Sequence, residues 1–156
     1  MLEVKFYDSI DDSLLKFAVI ISQSNGKWVF CKHKERDTFE VPGGHREAGE
    51  NIFETAKREL QEETGAIKFD IKPVCVYSVT GKTRVNDTGE ESFGGLYFAE
   101  ISEFAKELHS EMEKVVLMDE LPDNWTYPLI QPKLIEKYLQ IERQTYSKIQ
   151  LAQSKL

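Results

Sequence analysis

The sequence predicts an α/β protein in which one mixed sheet is covered by helices on both faces. Segments rich in β-branched and aromatic residues occur before and after a central segment with helical periodicity. A long amphipathic segment with a second helical pattern follows near the end of the chain. Because a sheet buries both of its faces most simply under helices, these observations favour a single layered domain over residues 1–156.

The first two strands are predicted at residues 15–22 and 27–34, joined by a hairpin. Both runs are rich in apolar and β-branched residues, and Asn25 and Gly26 lie between them. Asn-Gly suits the positive φ angles of a two-residue turn. Farther along, Pro42 and the glycines after it are predicted to end this strand region.

A helix is predicted from about Asn51 to Thr64. Asn51 with Glu54 three residues later is typical of a capping box, and Gly65 lies where a glycine is expected just past a helix end. At about 100° per residue, four apolar side chains share one sector and are predicted to face the core: Ile52, Phe53, Ala56 and Leu60.

Downstream, two further strands are predicted at residues 68–80 and 93–101, with a polar loop between them. A short helix capped by Ser102 is expected next, followed by a strand at residues 113–118. A helix that opens at a proline is then predicted over about residues 131–150, with a frayed tail.

The composition excludes several classes of protein. The chain has 156 residues and a net charge of −7. Its contents of 40% hydrophobic and 30% charged residues are typical of globular proteins. No apolar run is long enough to span a bilayer and no secretory signal is recognisable, so a cytoplasmic protein without a membrane partner is expected.

Cys31 and Cys75 lie in apolar segments and are predicted to be buried thiols. The negative net charge argues against unaided binding to long nucleic acids.

Three glutamates, Glu59, Glu62 and Glu63, share one face near the end of the predicted central helix. A solvated acidic face is the ordinary explanation of such a run. Against it, like charges three and four residues apart repel each other, and the last helical turn already carries the negative end of the helix dipole. Converging carboxylates suit Mg²⁺ or Mn²⁺ as a cofactor, and the absence of a His or Cys cluster beside them disfavours zinc. Without metal, at least one of these carboxyls is predicted to have a raised pKa.

Residues on either side of these glutamates are expected to support them. Arg58 can hydrogen-bond a carboxylate in a bidentate manner, but a surface ion pair with Glu54, one turn earlier, fits the spacing equally well. The segment 41–50 is predicted to be a flexible loop whose backbone approaches a ligand closely. Glu47 and Glu50 in this segment lie within reach of the start of the helix.

Residues at fixed spacing resemble the signature of the Nudix hydrolase family. That signature reads G, five residues, E, seven residues, R-E, an aliphatic residue, any residue, E-E, any residue, G and a final aliphatic residue. Its positions are occupied here by Gly44, Glu50, Arg58, Glu59, Leu60, Glu62, Glu63, Gly65 and Ala66. Ala66 is smaller than the usual final residue. Seven fixed residues at about 6% usage each match by chance with a probability on the order of 10⁻⁹ per window.

The resemblance implies an α/β/α sandwich and Mg²⁺- or Mn²⁺-dependent hydrolysis of a nucleoside diphosphate linked to another group. Glu62 and Glu63 look like the principal metal ligands, together with the carbonyl oxygen of Gly44. Glu59 is similar to a residue that serves in the family either as a metal ligand or as the base that activates water. With Arg58 and Glu62, it forms the predicted catalytic group.

The resemblance also implies supporting residues. Arg58 looks like the arginine that holds the glutamates in place, and Glu50 looks like the glutamate that supports the metal shell. Family members often use a further glutamate from outside the signature. Glu111 is favoured here over Glu113, although an exposed charge explains either residue as well.

Residues outside the signature select the substrate. Lys32, Lys34 and Arg36 lie on or after a strand that leads to the signature, and one of them, with Arg36 as the candidate, is predicted to hold a distal phosphate. A solvated charge is the commoner explanation of any one of them. Asn124 and Trp125 are predicted to read a purine base and to stack on it, although packing is the commoner role of such an aromatic side chain.

The chain as a whole is similar to the MutT-type branch of the family. This branch implies a nucleoside triphosphate substrate, such as the oxidised purine nucleotide 8-oxo-dGTP. The 5′-triphosphate end of an RNA is the alternative substrate, and a non-catalytic nucleotide-binding module is a third reading. The sequence leaves open whether the protein is a monomer or a homodimer.

Overall fold

The structure, a computed structural model, describes residues 2–83, 86–107 and 112–154. The strands and helices of this part are, in chain order, β1 (Glu3–Tyr7), β2 (Leu15–Ser24), β3 (Lys27–His33), β4 (Phe39–Glu40), β5 (Gly43–His45), α1 (Ile52–Thr64), β6 (Ala66–Thr80), β7 (Ser92–Phe104), β8 (Met112–Met118) and α2 (Gln131–Ser154). A short 3-10 helix, Asp12–Leu14, precedes β2. No helix in these residues is both long and apolar enough to cross a membrane.

The strands form one mixed sheet. The main order is β1-β6-β7-β2-β3-β4, while β5 pairs with β2 and β8 pairs with β3. β2 and β7 are parallel, and the other pairs are antiparallel. Because β5 pairs with β2 through Gly43 and Gly44, the two glycines of the signature region are fixed to the centre of the sheet.

Each face of the sheet is covered by one helix. Ile52, Ala56 and Leu60 of α1 belong to one buried apolar cluster. Leu134 and Ile135 of α2 belong to a second cluster. Alternate residues of β2 contribute to the two clusters, as expected for a strand between two layers. The α/β/α arrangement predicted from the sequence is confirmed.

The predicted turn and cap signals are also confirmed. Asn25 and Gly26 have φ angles of 52° and 75° in the turn between β2 and β3. The side chain of Asn51 accepts from the N–H of Glu54, and the side chain of Glu54 accepts from the N–H of Asn51. Gly65 ends α1 with a φ of 74°. Each of these signals depends on residues close together in the chain, so the sequence is sufficient to predict them.

Several predicted boundaries are wrong. Residues 102–104 belong to β7 rather than to a helix capped by Ser102, because β7 continues to pair with β6 as far as Phe104. Residues 105–107 are not helical either, and residues 108 and 109 of the predicted helix lie outside the described part. α2 continues to Ser154 instead of fraying near residue 150. β1, β4 and β5 have no counterpart among the predicted elements.

Phe53 does not join the core, contrary to the prediction. Its side chain is 37% exposed. The ring packs against Tyr97 with centroids 5.8 Å apart, and Nζ of Lys57 lies 5.1 Å from the ring centroid. Phe53 lies at the margin of the apolar sector of α1, so its ring covers the edge of the helix interface rather than filling the interior.

Cys31 and Cys75 are free thiols, the first buried and the second partly buried. Burial raises the pKa of Cys31 and raises that of Cys75 to about 11. Both side chains therefore stay protonated near neutral pH and act as small apolar packing groups.

Candidate active site

Arg58 is the centre of a carboxylate network on α1. Its Nε donates to Oε2 of Glu50 at 2.6 Å, and its Nη2 donates to Oε1 of the same carboxylate at 3.0 Å. Its Nη1 donates to Oε1 of Glu59 at 2.7 Å, and its Nη2 also contacts the carbonyl oxygen of His45 at 3.0 Å. The guanidinium therefore fixes the segment before α1 to a carboxylate of the helix.

Two further carboxylates lie at the edge of this network. Glu62 and Glu47 approach Nη1 of Arg58 at 3.4 and 3.6 Å, and their side chains are 53% and 66% exposed. The alternative of a surface pair between Arg58 and Glu54 is not observed, because the carboxylate of Glu54 accepts from the backbone of the helix cap instead. Arg58 therefore organises carboxylates, as the resemblance implies.

Glu50 is held by several donors at once. Besides the bidentate contact with Arg58, its Oε1 accepts from the N–H of Glu47 at 3.0 Å and from Oγ1 of Thr55 at 2.9 Å. These hydrogen bonds, chiefly those from Arg58, lower the pKa of Glu50 to about 2. With its oxygens occupied by protein donors, Glu50 is suited to supporting the site rather than to binding a ligand directly.

Glu50→Gln is expected to flatten the acid dependence of stability. A carboxyl whose pKa falls from 4.5 to about 2 on folding stabilises the protein above pH 4.5, and this contribution is lost as the pH falls towards 2. The free energy of unfolding, measured by urea titration between pH 5 and pH 3, should therefore fall less steeply in the variant than in the wild type. Glu120→Gln, at an exposed position, should keep the wild-type slope. Equal slopes in all three proteins would contradict the assigned role of Glu50.

The carboxylate of Glu59 is enclosed, with a side chain that is 12% exposed. Burial raises its pKa, the contact with Arg58 opposes this, and the charges of Glu62 and Glu47 add to the rise. The raised pKa predicted from the sequence is therefore found, but burial contributes more than repulsion between the glutamates. A carboxylate with a raised pKa is a better proton acceptor than an ordinary surface glutamate.

The strand β5 brings backbone groups against the same carboxylates. The N–H of Gly43 donates to Oε1 of Glu63 at 2.7 Å. Gly44 pairs with Ala18 in β2, and a Cβ added at Gly44 would overlap the carboxylate of Glu59. Glycine at residue 44 therefore leaves room for the carboxylate of Glu59, and its role lies in this close approach rather than in a positive φ angle.

Gly44→Ala is expected to lower kcat about tenfold while leaving the protein folded. The added methyl group meets the flexible end of Glu59, so the carboxylate moves before the sheet does. Turnover and thermal melting should be measured for Gly44→Ala, Glu59→Gln and the double variant. If the methyl group acts through Glu59, the two effects on kcat are not additive. Full additivity, or wild-type activity of Gly44→Ala, would contradict this explanation.

The segment between β5 and α1 is anchored, which differs from the flexible loop predicted from the sequence. Nε of Arg46 donates to the carbonyl oxygen of Glu50 at 2.7 Å, and Nη2 of Arg46 contacts Oδ2 of Asp12 at 2.8 Å. Oδ1 of Asp12 accepts from the N–H of Ile52 at 3.3 Å. These contacts connect the 3-10 helix before β2, the segment after β5 and the first turn of α1.

A cleft of about 590 Å³ opens beside the carboxylates, a size typical of small-molecule sites. Gly43, Gly44 and Glu63 belong to its lining. Its apolar wall comes from β2, β6, the residue before α2 and α2 itself, and includes Phe17, Val19, Tyr77, Val79, Ile130 and Leu134. A separate hollow of about 500 Å³ beside Lys57 and Gln61 contains none of the signature glutamates, so the first cleft is the candidate substrate site.

Arg36 lines this cleft, as its predicted contact with a phosphate requires. Its Nη1 donates to Oε1 of Glu40 at 3.3 Å. Burial raises the pKa of Glu40, and the positive charge of Arg36 opposes that rise. Glu111, the predicted metal ligand outside the signature, lies outside the described residues, as does the side chain of Glu113.

Asn124 and Trp125 lie elsewhere, and neither is among the described residues that line the cleft. Nδ2 of Asn124 donates to the carbonyl oxygen of Asp37 at 2.7 Å. The ring of Trp125 packs edge-on against Phe30 with centroids 5.4 Å apart. In this structure the amide of Asn124 joins its segment to the one at Asp37, and the indole of Trp125 packs against Phe30. Their predicted contacts with a purine base stay predictions.

Phe17, Tyr77 and Gln131 are among the cleft residues that were not predicted from the sequence. The ring of Phe17 lies 5.5 Å from that of Tyr77 and 6.3 Å from that of His45, between centroids. Strand alternation places Phe17 and Val19 on one face of β2. The face of β2 that borders the cleft is determined by where α2 packs. No local pattern in the sequence indicates the position of α2.

The sequence profile of the NUDIX domain matches residues 13–138. This range contains all the signature positions, the whole of α1 and the first part of α2. The chain belongs to the Nudix family.

Nudix relatives agree with the class of reaction predicted. The chain is 34% identical over 123 residues to YtkD of Bacillus subtilis (strain 168), a candidate 8-oxo-dGTP diphosphatase, across 78% of this chain and 73% of that protein. The structure of the Bacillus subtilis pyrophosphohydrolase BsRppH superposes on this chain with a TM-score of 0.74 and 28% sequence identity. The match covers 92% of this chain and 90% of that one. A Nudix hydrolase from Nitrosomonas europaea is 20% identical, with a TM-score of 0.62 over 80% of this chain and 88% of that one. At this identity the likeness supports the fold of this chain and nothing more. The prediction of a Nudix enzyme of the pyrophosphohydrolase class is confirmed.

The Nudix signature residues have the donor chemistry of a divalent-metal site. The carboxylates of Glu59, Glu62 and Glu63 and the carbonyl group of Gly44 are hard oxygen donors. Among the described residues, however, no three His, Cys, Asp or Glu side chains converge closely enough to hold an ion. Arg58 holds Glu59, and the N–H of Gly43 holds one oxygen of Glu63. The donor set therefore fits a metal, and its side chains have to turn from these protein donors to bind one.

Proposed function

We propose that this Nudix protein hydrolyses a pyrophosphate bond of a purine nucleoside triphosphate, with 8-oxo-dGTP as the leading substrate, in the presence of Mg²⁺ or Mn²⁺. One observation carries the proposal. The signature residues Glu63 and Gly44, with the neighbouring Gly43, line the same cleft as an apolar wall that suits a nucleoside. The likeness to YtkD, a candidate 8-oxo-dGTP diphosphatase, supports this choice of substrate.

Each signature residue has a role in this proposal. Glu62, Glu63 and the carbonyl group of Gly44 hold the divalent ion, with Glu111 as a further ligand. A bound Mg²⁺ or Mn²⁺ supplies positive charge to the phosphate oxygens and lowers the pKa of a bound water. Glu59 removes a proton from the attacking water, for which its raised pKa suits it.

The remaining charged residues position these groups. Arg58 holds Glu59 through Nη1 and the anchored Glu50 through Nε and Nη2, so the base keeps its place relative to α1. Arg36, on the lining of the cleft, binds a distal phosphate oxygen. Its present partner Glu40 lies 3.3 Å away, which keeps the guanidinium within the cleft before a nucleotide binds.

The products formed from single nucleotides test this function. Purified protein incubated with 8-oxo-dGTP, dGTP and dATP should release pyrophosphate or phosphate with Mg²⁺ or Mn²⁺ and none with EDTA, and kcat/KM should be largest for 8-oxo-dGTP. Hydrolysis of none of these triphosphates under either metal would contradict the proposal. Equal kcat/KM for all three would retain the reaction and reject the oxidised base as the preferred substrate.

The 5′-triphosphate end of an RNA is the second candidate substrate. The likeness to the pyrophosphohydrolase BsRppH and the cationic side chains of Lys16 and Arg36 on the cleft lining favour it. The net charge of −7 favours a free nucleotide instead, because RNA binding benefits from clustered positive charge. Competition between 8-oxo-dGTP and a triphosphorylated RNA in one reaction, measured as kcat/KM, discriminates between the two substrates.

The signature carboxylates weigh against the third reading, a non-catalytic binding module. Such a module has no need of a complete set of acidic side chains, and the set is complete here. The cytoplasmic location and the choice between monomer and homodimer stay predictions. Sedimentation of the purified protein gives the oligomeric state directly.

A further inference from the structure

Arg46 connects the signature region to a segment outside it. Its Nη2 donates to Oδ2 of Asp12 at 2.8 Å, and its Nη1 donates to the carbonyl oxygens of Asp12 and Leu15 at 2.6 and 3.3 Å. Its Nε donates to the carbonyl oxygen of Glu50 at 2.7 Å. One guanidinium therefore holds four acceptor oxygens, three of which belong to the main chain.

Asp12 contacts the start of α1 as well as Arg46. Its Oδ1 accepts from the N–H of Ile52, the first residue of α1, at 3.3 Å. The first N–H groups of a helix have no partner within the helix, and a negative charge beside them is favourable. Asn51 supplies the ordinary cap through the N–H of Glu54. Asp12 is therefore a second cap for the helix of the signature glutamates, and it comes from another part of the chain.

The contacts continue from Arg46 to Glu59. Glu50, whose carbonyl oxygen accepts from Arg46, binds Arg58 through both carboxylate oxygens at 2.6 and 3.0 Å. Arg58 in turn donates to Oε1 of Glu59 at 2.7 Å. Because Glu50 is held at its main chain by one arginine and at its side chain by the other, a shift of its main chain also displaces Arg58. The position of Glu59 therefore depends on a contact that lies away from α1.

An ordinary surface ion pair is the alternative explanation of Asp12 and Arg46. Such pairs contribute little when they are exposed, because solvent screens the charges and ordering two long side chains costs entropy. The side chain of Arg46, however, is 24% exposed, and most of its acceptors are carbonyl groups that fix the path of the main chain. The same path requires Gly49, whose φ of 84° suits glycine best. The contacts of Arg46 therefore determine the shape of a segment rather than only balance a charge.

We propose that Asp12 and Arg46 are positioning residues for hydrolysis: they fix the segment 46–50 against α1 and so keep Glu59 in place through Glu50 and Arg58. Neither residue occupies a fixed position of the signature. Residues that orient a site from behind change affinity or activity by about 10- to 100-fold when they are replaced, although they touch no substrate. This inference rests on the proposed function, because Glu59 is the base in that proposal.

The first test compares Arg46→Lys, Asp12→Asn and the double variant. Arg46→Lys keeps the charge but cannot contact all four acceptors, and Asp12→Asn keeps an acceptor for the N–H of Ile52 while losing its charge. We expect each variant to lower kcat about tenfold and to leave the dissociation constant of 8-oxo-dGTP in EDTA within about twofold. Since the two residues act as one unit, the double variant should lose little more than either single variant. Arg143→Lys and Asp123→Asn, at exposed positions, should behave as the wild type.

The second test distinguishes positioning from a general structural role. Arg46→Lys combined with Glu59→Gln should lower kcat no further than Glu59→Gln alone, because the base that Arg46 positions is then absent. A merely structural role predicts the same loss in both backgrounds. Full additivity with Glu59→Gln would overturn the inference, and so would wild-type kcat in Arg46→Lys and Asp12→Asn. Melting curves establish that the variants are folded.

Amide hydrogen exchange gives a readout that needs neither metal nor turnover. The N–H of Glu47 donates to Oε1 of Glu50 at 3.0 Å, so its exchange reports how firmly Glu50 is held. It should accelerate about tenfold in Arg46→Lys and Asp12→Asn, while the N–H of Leu60, a buried residue of α1, should exchange as in the wild type. If the wild type hydrolyses no nucleotide, the proposed function fails, and this measurement still decides whether Arg46 and Asp12 hold Glu50. Unchanged exchange at Glu47 would overturn the inference.

Discussion

Glu59→Gln is expected to lower kcat by about 10³-fold and to leave nucleotide affinity within a few-fold of the wild type. The substitution keeps the size of the side chain and one acceptor oxygen for Arg58, which contacts Oε1 of Glu59 at 2.7 Å. It removes the negative charge and the ability to take a proton from water. Steady-state turnover of 8-oxo-dGTP, together with equilibrium binding in EDTA, separates the two effects.

The matched control for this experiment is Glu54→Gln. Glu54 is an exposed residue of the same helix, and Gln can also serve in its capping box. The same change of charge should therefore leave kcat within about twofold of the wild type. If Glu59→Gln has wild-type turnover, Glu59 is not the base. If it loses affinity and turnover in equal measure, Glu59 contributes to binding rather than to the chemical step.

Arg58→Lys is expected to lower kcat/KM by about 100-fold although it preserves the positive charge. Arg58 binds Glu50 through two nitrogens and Glu59 through a third. A lysine ammonium cannot reproduce this planar geometry, so at least one carboxylate loses its partner and its position. The melting temperature should also fall, because Glu50 and Glu59 are largely enclosed, with side chains 16% and 12% exposed.

Arg143→Lys, at an exposed position on α2, is the control for Arg58→Lys and should match the wild type in both measurements. Arg58→Gln removes the charge as well and should be less stable than Arg58→Lys, because four neighbouring carboxylates then lack a cation. Wild-type kcat/KM in Arg58→Lys would show that charge alone, without the bidentate geometry, is sufficient.

The sequence predicts the features of this fold that depend on neighbouring residues. The turn at Asn25 and Gly26 and the cap at Asn51 are set by hydrogen bonds within a few positions, so they can be read directly. The signature glutamates are likewise recognisable. Acidic side chains in the last turn of a helix are repelled by the negative end of the helix dipole, so several of them there indicate a functional role. Their spacing then indicates a shared face.

Features that depend on distant contacts are not predicted in the same way. Helical spacing favours Glu54 as the partner of Arg58, and only the close packing of the preceding segment against α1 brings the more distant Glu50 to it instead. Asn124 and Gln131 are both amides near the start of α2, and Gln131 reaches the cleft because Val41 holds it there. The alternation of charged and apolar residues from Glu3 to Phe6 is too short to distinguish a strand, and β1 forms because it pairs with β6.

The central claim is that the glutamates at the end of α1 hold the divalent ion that hydrolysis requires. Its most direct test is a Mn²⁺ titration, followed by electron paramagnetic resonance, of metal-free wild type and of the double variant Glu62→Gln/Glu63→Gln. The account predicts that the wild type binds Mn²⁺ and that the variant, with an unchanged circular dichroism spectrum, loses affinity by about tenfold or more. Equal Mn²⁺ affinity in the two proteins would contradict it.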